Sequence, residues 1–207
     1  MGLKEKVDLR GYIWDLLKRR GISRRPHGRI PDFTGSWDAA RRLSRTIEWK
    51  RSVRVFSSPD SAQQPVRELA LRCGKDLIMP TPRIKDGYLF ISHEVPDKRA
   101  ASTIQGAYRY GSSIRDFPRV DLVVEGSVAV DLRGNRLGKG GGYGDRELHE
   151  LRSQGAIDSR TPVATTVDEL QIVESVPSEE HDEKINMIVT PLRVIRLFLD
   201  ERIPIVR

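Results

Sequence analysis

The most informative run in this 207-residue chain reads Asn135-Arg136-Leu137-Gly138-Lys139-Gly140-Gly141-Gly142-Tyr143-Gly144-Asp145-Arg146-Glu147. Apolar, mostly β-branched residues precede it over 120–130. Leu148 and Leu151 follow it at helical spacing, and Gly155 is a typical helix stop. The glycines are therefore predicted to connect a strand to a helix. Glycine adopts positive φ without strain and lets a ligand approach the main chain closely.

This glycine-rich loop has the features of a phosphate-binding site. The first turn of a helix offers unpaired backbone N–H groups and the positive end of the helix dipole. Arg136, Lys139 and Arg146 add positive charge. Asp145 adds a carboxylate, whose simplest role beside a phosphate is to hold Mg2+. The loop matches neither the Walker A motif nor the dinucleotide-binding glycine motif. A flexible turn without chemistry is the alternative, but the grouping of three cations and one acid favours a nucleotide phosphate loop.

The same residues resemble a family signature. The pattern resembles the signature of the 5-formyltetrahydrofolate cyclo-ligase family (5,10-methenyltetrahydrofolate synthetases). In this chain it reads Arg136-Leu137-Gly138-x-Gly140-Gly141-Gly142-Tyr143-x-Asp145-Arg146. The family usually has a second tyrosine where this chain has Gly144. The resemblance implies an α/β sandwich that uses ATP and Mg2+ to activate the formyl oxygen of 5-formyltetrahydrofolate. A further run, Arg29-Ile30-Pro31-Asp32-Phe33-Thr34-Gly35, resembles the methenyltetrahydrofolate synthase domain-containing branch of that family.

Length and composition limit the possible domain organisation, location and partners of the chain. We expect a single α/β domain over 1–207, with the N-terminal helix and a basic connector of 1–35 packed on it. No apolar run approaches the roughly 20 residues of a membrane span. The single cysteine, Cys73, excludes an internal disulfide and favours a cytoplasmic location. The net charge of +7 favours anionic partners, namely nucleotides, polyglutamylated or phosphorylated small molecules, or RNA.

The order of predicted elements indicates the fold class. Five or more short β-branched runs alternate with helices, which predicts a three-layer α/β/α sandwich with a mostly parallel sheet. An amphipathic helix is predicted over 3–20 and another from Ser36. A strand at 53–56, a helix that ends at Gly74 and a strand at 76–79 form a unit with parallel strands. Ligands bind at the carboxyl ends of the strands in such sheets.

Four side chains outside the predicted site are expected in the core. Ile47 lies on the predicted buried side of the second helix, and Trp37 and Trp49 flank that helix. Cys73 continues the apolar face of the following helix, so that we interpret it as a packing residue.

Two cations on the first helix are candidate phosphate ligands. Lys6 and Arg10 are spaced i, i+4 and share a helix face, where like charges repel unless an anion lies between them. A solvated basic face is the alternative. The family resemblance implies contact with the ATP phosphates and catalytic roles for Arg136, Lys139 and Arg146. The full phosphate set that it implies is Lys6, Arg10, Arg136, Gly138, Lys139, Gly140, Gly141, Gly142 and Tyr143.

The resemblance also implies a folate pocket and a metal pair. Tyr143 would line the pocket, Asp60 lies nearest to the position of the family's pterin-contacting glutamate, and Phe117 is the nearest candidate for an aromatic contact. Asp182 falls on a second metal-site acid, opposite Asp145. Taken alone, without the resemblance, the charged run 179–183 is better explained as a solvated loop.

Two other functions stay open from the sequence. The arginine-rich connector 18–29 and the positive charge would suit a cyclo-ligase-like fold that binds RNA or a protein partner. Alternatively, the same chemistry acts on another formylated or acylated amine.

Overall fold

The computed structural model describes residues 2–179 and 182–197, so that Glu180 and His181 of the predicted charged loop lie outside the described residues. The helices are α1 (Gly2–Arg19), α2 (Ser36–Leu43), α3 (Ile47–Arg51), α4 (Gln64–Arg72), α5 (Lys98–Ala101), α6 (Ile104–Tyr110) and α7 (Tyr143–Ser153). The strands are β1 (Arg54–Ser57), β2 (Asp76–Pro80), β3 (Tyr88–Ile91), β4 (Ser112–Ile114), β5 (Leu122–Glu125), β6 (Ala129–Val130), β7 (Arg136–Leu137), β8 (Val163–Thr166), β9 (Met187–Val189) and β10 (Val194–Arg196).

Eight of these strands form one sheet in the order β10-β9-β8-β5-β1-β2-β3-β4. The central strands β9, β8, β5, β1 and β2 pair in parallel. Antiparallel pairing is confined to β10 at one edge and to β3 and β4 at the other. The mostly parallel sheet predicted from the alternation of elements is confirmed. Strands β6 and β7 form a separate antiparallel pair.

Helices cover both faces of the sheet, because successive residues of a strand point to opposite sides. Val55 of β1 packs into a cluster with residues of α2 and α4. The next residue, Phe56, packs on the other face with Leu148 and Leu151 of α7. Buried strands with apolar residues on both faces are typical of parallel sheets. The predicted three-layer α/β/α sandwich is therefore confirmed.

The N-terminal helix and its connector form a smaller cluster beside the sheet. Ile13 and Leu17 of α1 are buried together with Ile30 and Phe33 of the connector, against the β6–β7 pair. This packing places α1 alongside the glycine-rich loop, which follows β7 directly. Within the described parts of the chain α1 is the longest helix, and none of the helices has both the length and the apolar character needed to cross a bilayer.

Three of the four additional core predictions were wrong. The predicted second helix ends at Leu43, and α3 begins after Thr46, whose side chain accepts a hydrogen bond from the backbone N–H of Trp49. The predicted helical periodicity does not continue across this break, and in the structure Trp49 is buried and Ile47 is exposed. Trp37 is also exposed and lies 5.8 Å from the guanidinium of Arg41. Cys73 caps α4 and faces solvent.

The strand order reverses between β1 and β5, and this reversal positions the candidate site. From β1 the chain continues to β2 on one side, whereas β5 pairs with β1 on the other. The connections that leave the carboxyl ends of two such strands diverge and leave a crevice between them. The loop with Asp60 follows β1, and Glu125 ends β5, so both lie at this crevice.

A buried arginine fixes the loop after β1. Arg67 of α4 is 1% exposed and donates hydrogen bonds to the carbonyl oxygens of Ser58 (2.6 Å), Asp60 (3.0 Å) and Ser102 (2.8 Å). Burial lowers the pKa of Arg67 to about 10, which leaves the guanidinium charged at neutral pH. Because its planar fork satisfies three carbonyls, Arg67 anchors the backbone that carries Asp60.

Replacing this anchor is expected to destabilise the protein. Arg67→Met leaves buried carbonyl oxygens without donors, and the free energy of unfolding should fall by about 3 kcal/mol or more in a urea titration. The same change at Arg41, an exposed residue of α2 paired with exposed Asp38, should change it by less than about 1 kcal/mol. Equal effects of the two substitutions would contradict the anchoring role of Arg67.

Candidate functional site

The glycine-rich loop joins the short strand β7 to helix α7. The predicted strand–loop–helix order is confirmed, but the strand is the two-residue β7 and not the apolar run before it. That run forms β5 in the sheet and then β6, so the loop projects from a β-hairpin. Gly140 has φ 106° and Gly142, which caps α7, has φ 65°. A side chain at either position would be strained, because L-residues rarely adopt positive φ.

The loop forms a wall shared by two cavities. The α1-side cavity has a volume of about 740 Å³ and includes residues of α1, the loop, α7 and the segment around Asp182. The Asp60-side cavity, of about 440 Å³, lies at the crevice between β1 and β5 and includes the connector segment Gly28–Ile30. Arg136, Gly138, Gly142 and Asp145 line both cavities.

The α1-side cavity is rich in cations. Arg10 Nε donates to the carbonyl oxygen of Gly138 at 2.7 Å, and a Cβ on Gly140 would lie 3.7 Å from Arg10 Cζ. Burial lowers the pKa of Arg10, although the charge of Asp182 opposes this shift. Lys6, which is buried, donates to Asp182 at 2.6 Å. The structure thus brings Arg10 to the loop and Lys6 to Asp182, in one cavity that the loop also lines. The contact of both cations with ATP stays a prediction.

The two predicted metal ligands line the same α1-side cavity. Asp145 accepts a hydrogen bond from Arg136 Nη2 at 2.8 Å and one from the backbone N–H of Glu183 at 3.3 Å. Over residues 2–179 and 182–197, His, Cys, Asp and Glu form no group of three or more that could hold a metal. Mg2+ is often held by one or two carboxylates together with substrate phosphates. A pair of carboxylates beside Lys6 and Arg10 fits an ion that arrives with a nucleotide.

The Asp60-side cavity contains the other predicted residues of the loop. Lys139 Nζ lies 2.7 Å from Asp60 Oδ1, so an ion pair joins the glycine loop to the end of β1. Tyr143 lines this cavity, and the guanidinium of Arg146 lies 4.4 Å from the centre of its ring. Arg146 itself lines the α1-side cavity, and its Nη2 donates to the carbonyl oxygen of Gly141 at 3.3 Å. Substrate binding by Asp60 and Tyr143 and catalysis by Arg136, Lys139 and Arg146 stay predictions.

The structure does not bring Phe117 to the site. Its ring packs edge-on against Tyr88 with a centroid distance of 4.7 Å, and it lines neither of the two cavities. The sequence offered Phe117 only as the nearest candidate for the aromatic contact that the family resemblance implies. In the fold, the chain after β4 returns beneath α7, where the apolar ring packs against the core.

Sequence analysis missed two buried acids of the Asp60-side cavity. Glu125 and Glu147 are 2% and 4% exposed, and both line this cavity. Burial raises the pKa of Glu125 to about 7, against the effect of Arg136, and burial and the charge of Glu125 raise the pKa of Glu147 well above its usual value. The signals were present: Glu125 interrupts the apolar run 120–130, and Glu147 lies one helical turn before Leu151 on the buried face of α7.

The same region explains the departure from the family signature at Gly144. A Cβ at this position would lie 2.7 Å from Arg136 Nη2 and 2.9 Å from Glu125 Oε2. Real Cβ atoms do not approach other atoms so closely, so Arg136 and Glu125 occupy the space beside the backbone of Gly144. A second tyrosine here would require both side chains to move.

Comparison with known proteins identifies the family. Residues 3–191 match the 5-formyltetrahydrofolate cyclo-ligase family. The chain belongs to this family. It is 39% identical over 204 residues to the human methenyltetrahydrofolate synthase domain-containing protein, covering 92% of this chain and 53% of the relative. It is 29% identical over 150 residues to the 5-formyltetrahydrofolate cyclo-ligase of Escherichia coli strain K12, covering 69% of this chain and 79% of that enzyme.

Solved structures support the fold of this cyclo-ligase family member. The NMR structure of Aquifex aeolicus 5,10-methenyltetrahydrofolate synthetase superposes with a TM-score of 0.62 at 20% identity, over 98% of this chain and 95% of that one. A Mycoplasma pneumoniae 5,10-methenyltetrahydrofolate synthetase gives a TM-score of 0.54 at 14% identity, over 89% and 97% of the two chains. The chain spans about half the length of the domain-containing relatives that it matches.

The raised pKa of Glu125 predicts a pH dependence of stability. Between pH 4.5 and about 7 the folded state retains a proton that the unfolded state releases, so the wild type loses stability as the pH rises. In the variant Glu125→Gln the side chain at this position cannot ionise. Its free energy of unfolding relative to wild type should therefore rise through this window, by up to about 1.4 kcal/mol per pH unit. Urea titrations at several pH values measure this difference.

The matched control is Glu174→Gln, which changes an exposed glutamate in the same way. Its difference from wild type should not depend on pH over the same window. A pH-independent difference for Glu125→Gln as well would show that Glu125 is ionised in the folded protein at pH 5.

Proposed function

We propose that this protein converts 5-formyltetrahydrofolate to 5,10-methenyltetrahydrofolate with ATP and Mg2+. The observation that carries the proposal is the shared wall, because one glycine loop separates a cation-rich cavity from a cavity lined by Asp60 and Tyr143. This arrangement suits a reaction between a nucleotide phosphate and a second ligand. Membership of a ligase family supports the same conclusion.

The α1-side cavity is the proposed nucleotide site. Lys6, Arg10 and the backbone N–H groups of the glycine loop hold the triphosphate, with the positive end of the α7 dipole directed at it. In the structure Arg10 donates to the carbonyl of Gly138, and Lys6 to Asp182. Phosphate oxygens compete for these donors when the nucleotide binds.

The proposed metal ligands are Asp145 and Asp182. Mg2+ held there supplies charge neutralisation on the phosphate oxygens. Arg136 orients Asp145 through their ion pair of 2.8 Å, and its own burial leaves it little freedom to move. The position of Asp145 is therefore set before any ligand arrives.

The chemical step is phosphoryl transfer followed by ring closure. The formyl oxygen forms a bond to the γ-phosphorus as the bond to ADP breaks. The N10 amine then adds to the formyl carbon and loses its proton, and the carbon–oxygen bond breaks to release phosphate. The protein contributes positioning and charge stabilisation, as in other phosphoryl transfers. Arg136 lines both cavities and Lys139 lines the Asp60-side cavity, which supports a role for both in stabilising the charge of the transferred phosphoryl group.

The direct test is a spectroscopic assay of the purified chain with 5-formyltetrahydrofolate, ATP and Mg2+. Formation of the methenyl chromophore that requires ATP is the expected result. Absence of product while calorimetry shows ATP binding would overturn the substrate assignment and favour another formylated or acylated amine. Absence of both product and ATP binding would overturn the proposed function.

The metal assignment predicts the behaviour of Asp145→Asn. Loss of the carboxylate charge should lower the turnover rate by at least about 100-fold, while circular dichroism and the melting temperature stay close to those of the wild type. The matched control is Asp8→Asn, on the exposed side of α1. Turnover by Asp145→Asn with an unchanged Mg2+ dependence would refute the role of Asp145.

The nucleotide site predicts a selective effect on ATP. Lys6→Met and Arg10→Met should each weaken ATP binding by about tenfold or more, since each removes a charge-assisted hydrogen bond. Binding of 5-formyltetrahydrofolate alone should not change. Lys4→Met removes an exposed charge two residues from Lys6 and serves as the control. If all three variants bind ATP equally well, α1 does not contribute to the site.

A further inference from the structure

A third cavity, here called the connector groove, lies between the arginine-rich connector and helices α2 and α4. It has a volume of about 620 Å³, and Arg24, Trp37 and Arg72 are among the residues that line it. A neighbouring cavity of about 610 Å³ extends the groove to α5, because Arg72 and Arg99 line both. Over the described residues, the glycine-rich loop contributes to neither cavity. The connector groove is therefore separate from the proposed nucleotide site.

Two arginines of the groove have no partner in the protein. Within residues 2–179 and 182–197, the guanidinium groups of Arg24 and Arg99 form no ion pair and no hydrogen bond, and both side chains are exposed. Lys98 lines the extension beside Arg99, and its Nζ donates to the carbonyl oxygen of Val95. One exposed arginine is ordinary, but two that line one groove without a counterion concentrate positive charge there.

Three acids also line the groove and its extension, and each accepts a hydrogen bond from the protein. Glu68 is buried and pairs with Arg72 at 2.8 Å. Asp32 accepts from Ser23 Oγ at 3.1 Å, and the side chain of Asp97 caps α5. None of these contacts uses the two unpaired guanidinium groups, which are available to an anionic ligand.

Trp37 gives the groove an exposed aromatic surface. The sequence predicted a core residue, but 38% of Trp37 is exposed. Its ring lies 5.8 Å from the guanidinium of Arg41, which pairs with Asp38. Proteins that bind single-stranded nucleic acid combine a positively charged groove, which follows the phosphates, with aromatic rings on which the bases stack.

The groove fits a polynucleotide better than a simple anion or an acidic peptide. Neither of these has a flat ring to cover Trp37, and a chain of carboxylates would be repelled by Asp32. A nucleotide base, in contrast, has N–H groups that a carboxylate can accept. The extension of the groove to Arg99 favours a chain with several phosphates over a single one.

We infer that the connector groove and its extension bind a single-stranded polynucleotide, with a base stacked on Trp37 and phosphates paired with Arg24 and Arg99. This role goes beyond the proposed function and does not depend on it. It assigns a ligand to the positive charge of the connector and explains why an indole ring is left exposed beside it.

The test is fluorescence anisotropy of labelled oligouridylate and oligothymidylate of about 12 nucleotides, titrated with the protein between about 50 and 200 mM salt. Trp37→Leu should weaken binding by about tenfold and leave the salt dependence unchanged, because it removes a stacking surface but no charge. Arg24→Gln and Arg99→Gln should each reduce the slope of log affinity against log salt by about 0.7, because each removes one phosphate contact. The oligonucleotide that binds more tightly identifies the preferred sugar.

The matched controls are Arg133→Gln and Tyr12→Leu, which alter an exposed arginine and an exposed aromatic residue outside the groove. Both should bind the oligonucleotides as the wild type does. If Arg133→Gln reduces the salt slope as much as the groove variants do, overall charge causes the binding and the inference is overturned. Absence of binding by the wild type at the lowest salt concentration overturns it as well.

A further variant, Arg10→Met, excludes binding of the oligonucleotide at the α1-side cavity. This variant should retain oligonucleotide binding. Loss of binding by Arg10→Met, together with normal binding by Arg24→Gln, would place the polynucleotide in the α1-side cavity and overturn the inference. Hexaglutamate, which has negative charges but no bases, should not displace the oligonucleotide. Displacement at equal concentration would show a site for anionic chains in general and would also contradict the role of Trp37.

The assay of 5-formyltetrahydrofolate turnover separates this inference from the proposed function. Arg24→Gln, Arg99→Gln and Trp37→Leu lie outside both cavities of the proposed active site and should match the wild type in that assay. A wild type that binds the oligonucleotides through the groove without converting the folate would refute only the proposed function. Turnover without oligonucleotide binding would refute only the inference.

Discussion

The ion pair between Arg136 and Asp145 is the interaction on which the site depends. It connects the residue before the glycine loop to the first turn of the helix after it, and so fixes both ends of the loop. The positive charge of Arg136 also lowers the pKa of the buried acids Glu125 and Glu147, against the effect of their burial. The side chain of Arg136 is 4% exposed and that of Asp145 is 29% exposed. Loss of Arg136 therefore removes a positive charge from beside buried acids, which is costly, whereas asparagine at position 145 can still accept its hydrogen bond. The loop, the first turn of α7 and the buried acids thus depend on one guanidinium.

The two sides of the loop have opposite chemical character. On the α1 side, Arg10 donates to the loop and Lys6 pairs with Asp182, so that two cations line this cavity. On the other side, three carboxyl groups line the cavity, those of Asp60, Glu125 and Glu147. The Asp60-side cavity lies at the crevice between β1 and β5, whereas the α1-side cavity is lined by α1, the loop, α7 and the segment around Asp182.

Much of this arrangement could be predicted from the sequence. The glycine loop, the amphipathic α1 and the alternation of strands and helices are local patterns, and local patterns determined the sheet type and the layers. Asp60, Lys6 and Arg10 were placed by matching a family signature and do lie beside the loop. Phe117 and Ile47 were misplaced because their environment depends on how distant elements pack. Glu125 and Glu147 were overlooked for the same reason, since a charged residue in an apolar run gains meaning only when its burial is known.

The shared wall has a thermodynamic consequence. Lys139 pairs with Asp60 in one cavity, while the carbonyl oxygen of its neighbour Gly138 accepts a hydrogen bond from Arg10 in the other. A ligand that displaces a contact on one side therefore changes the conformational freedom of the loop on the other side. Binding at the two cavities is then linked, and linkage is reciprocal: the factor by which one ligand changes the affinity for the second equals the factor by which the second changes the affinity for the first.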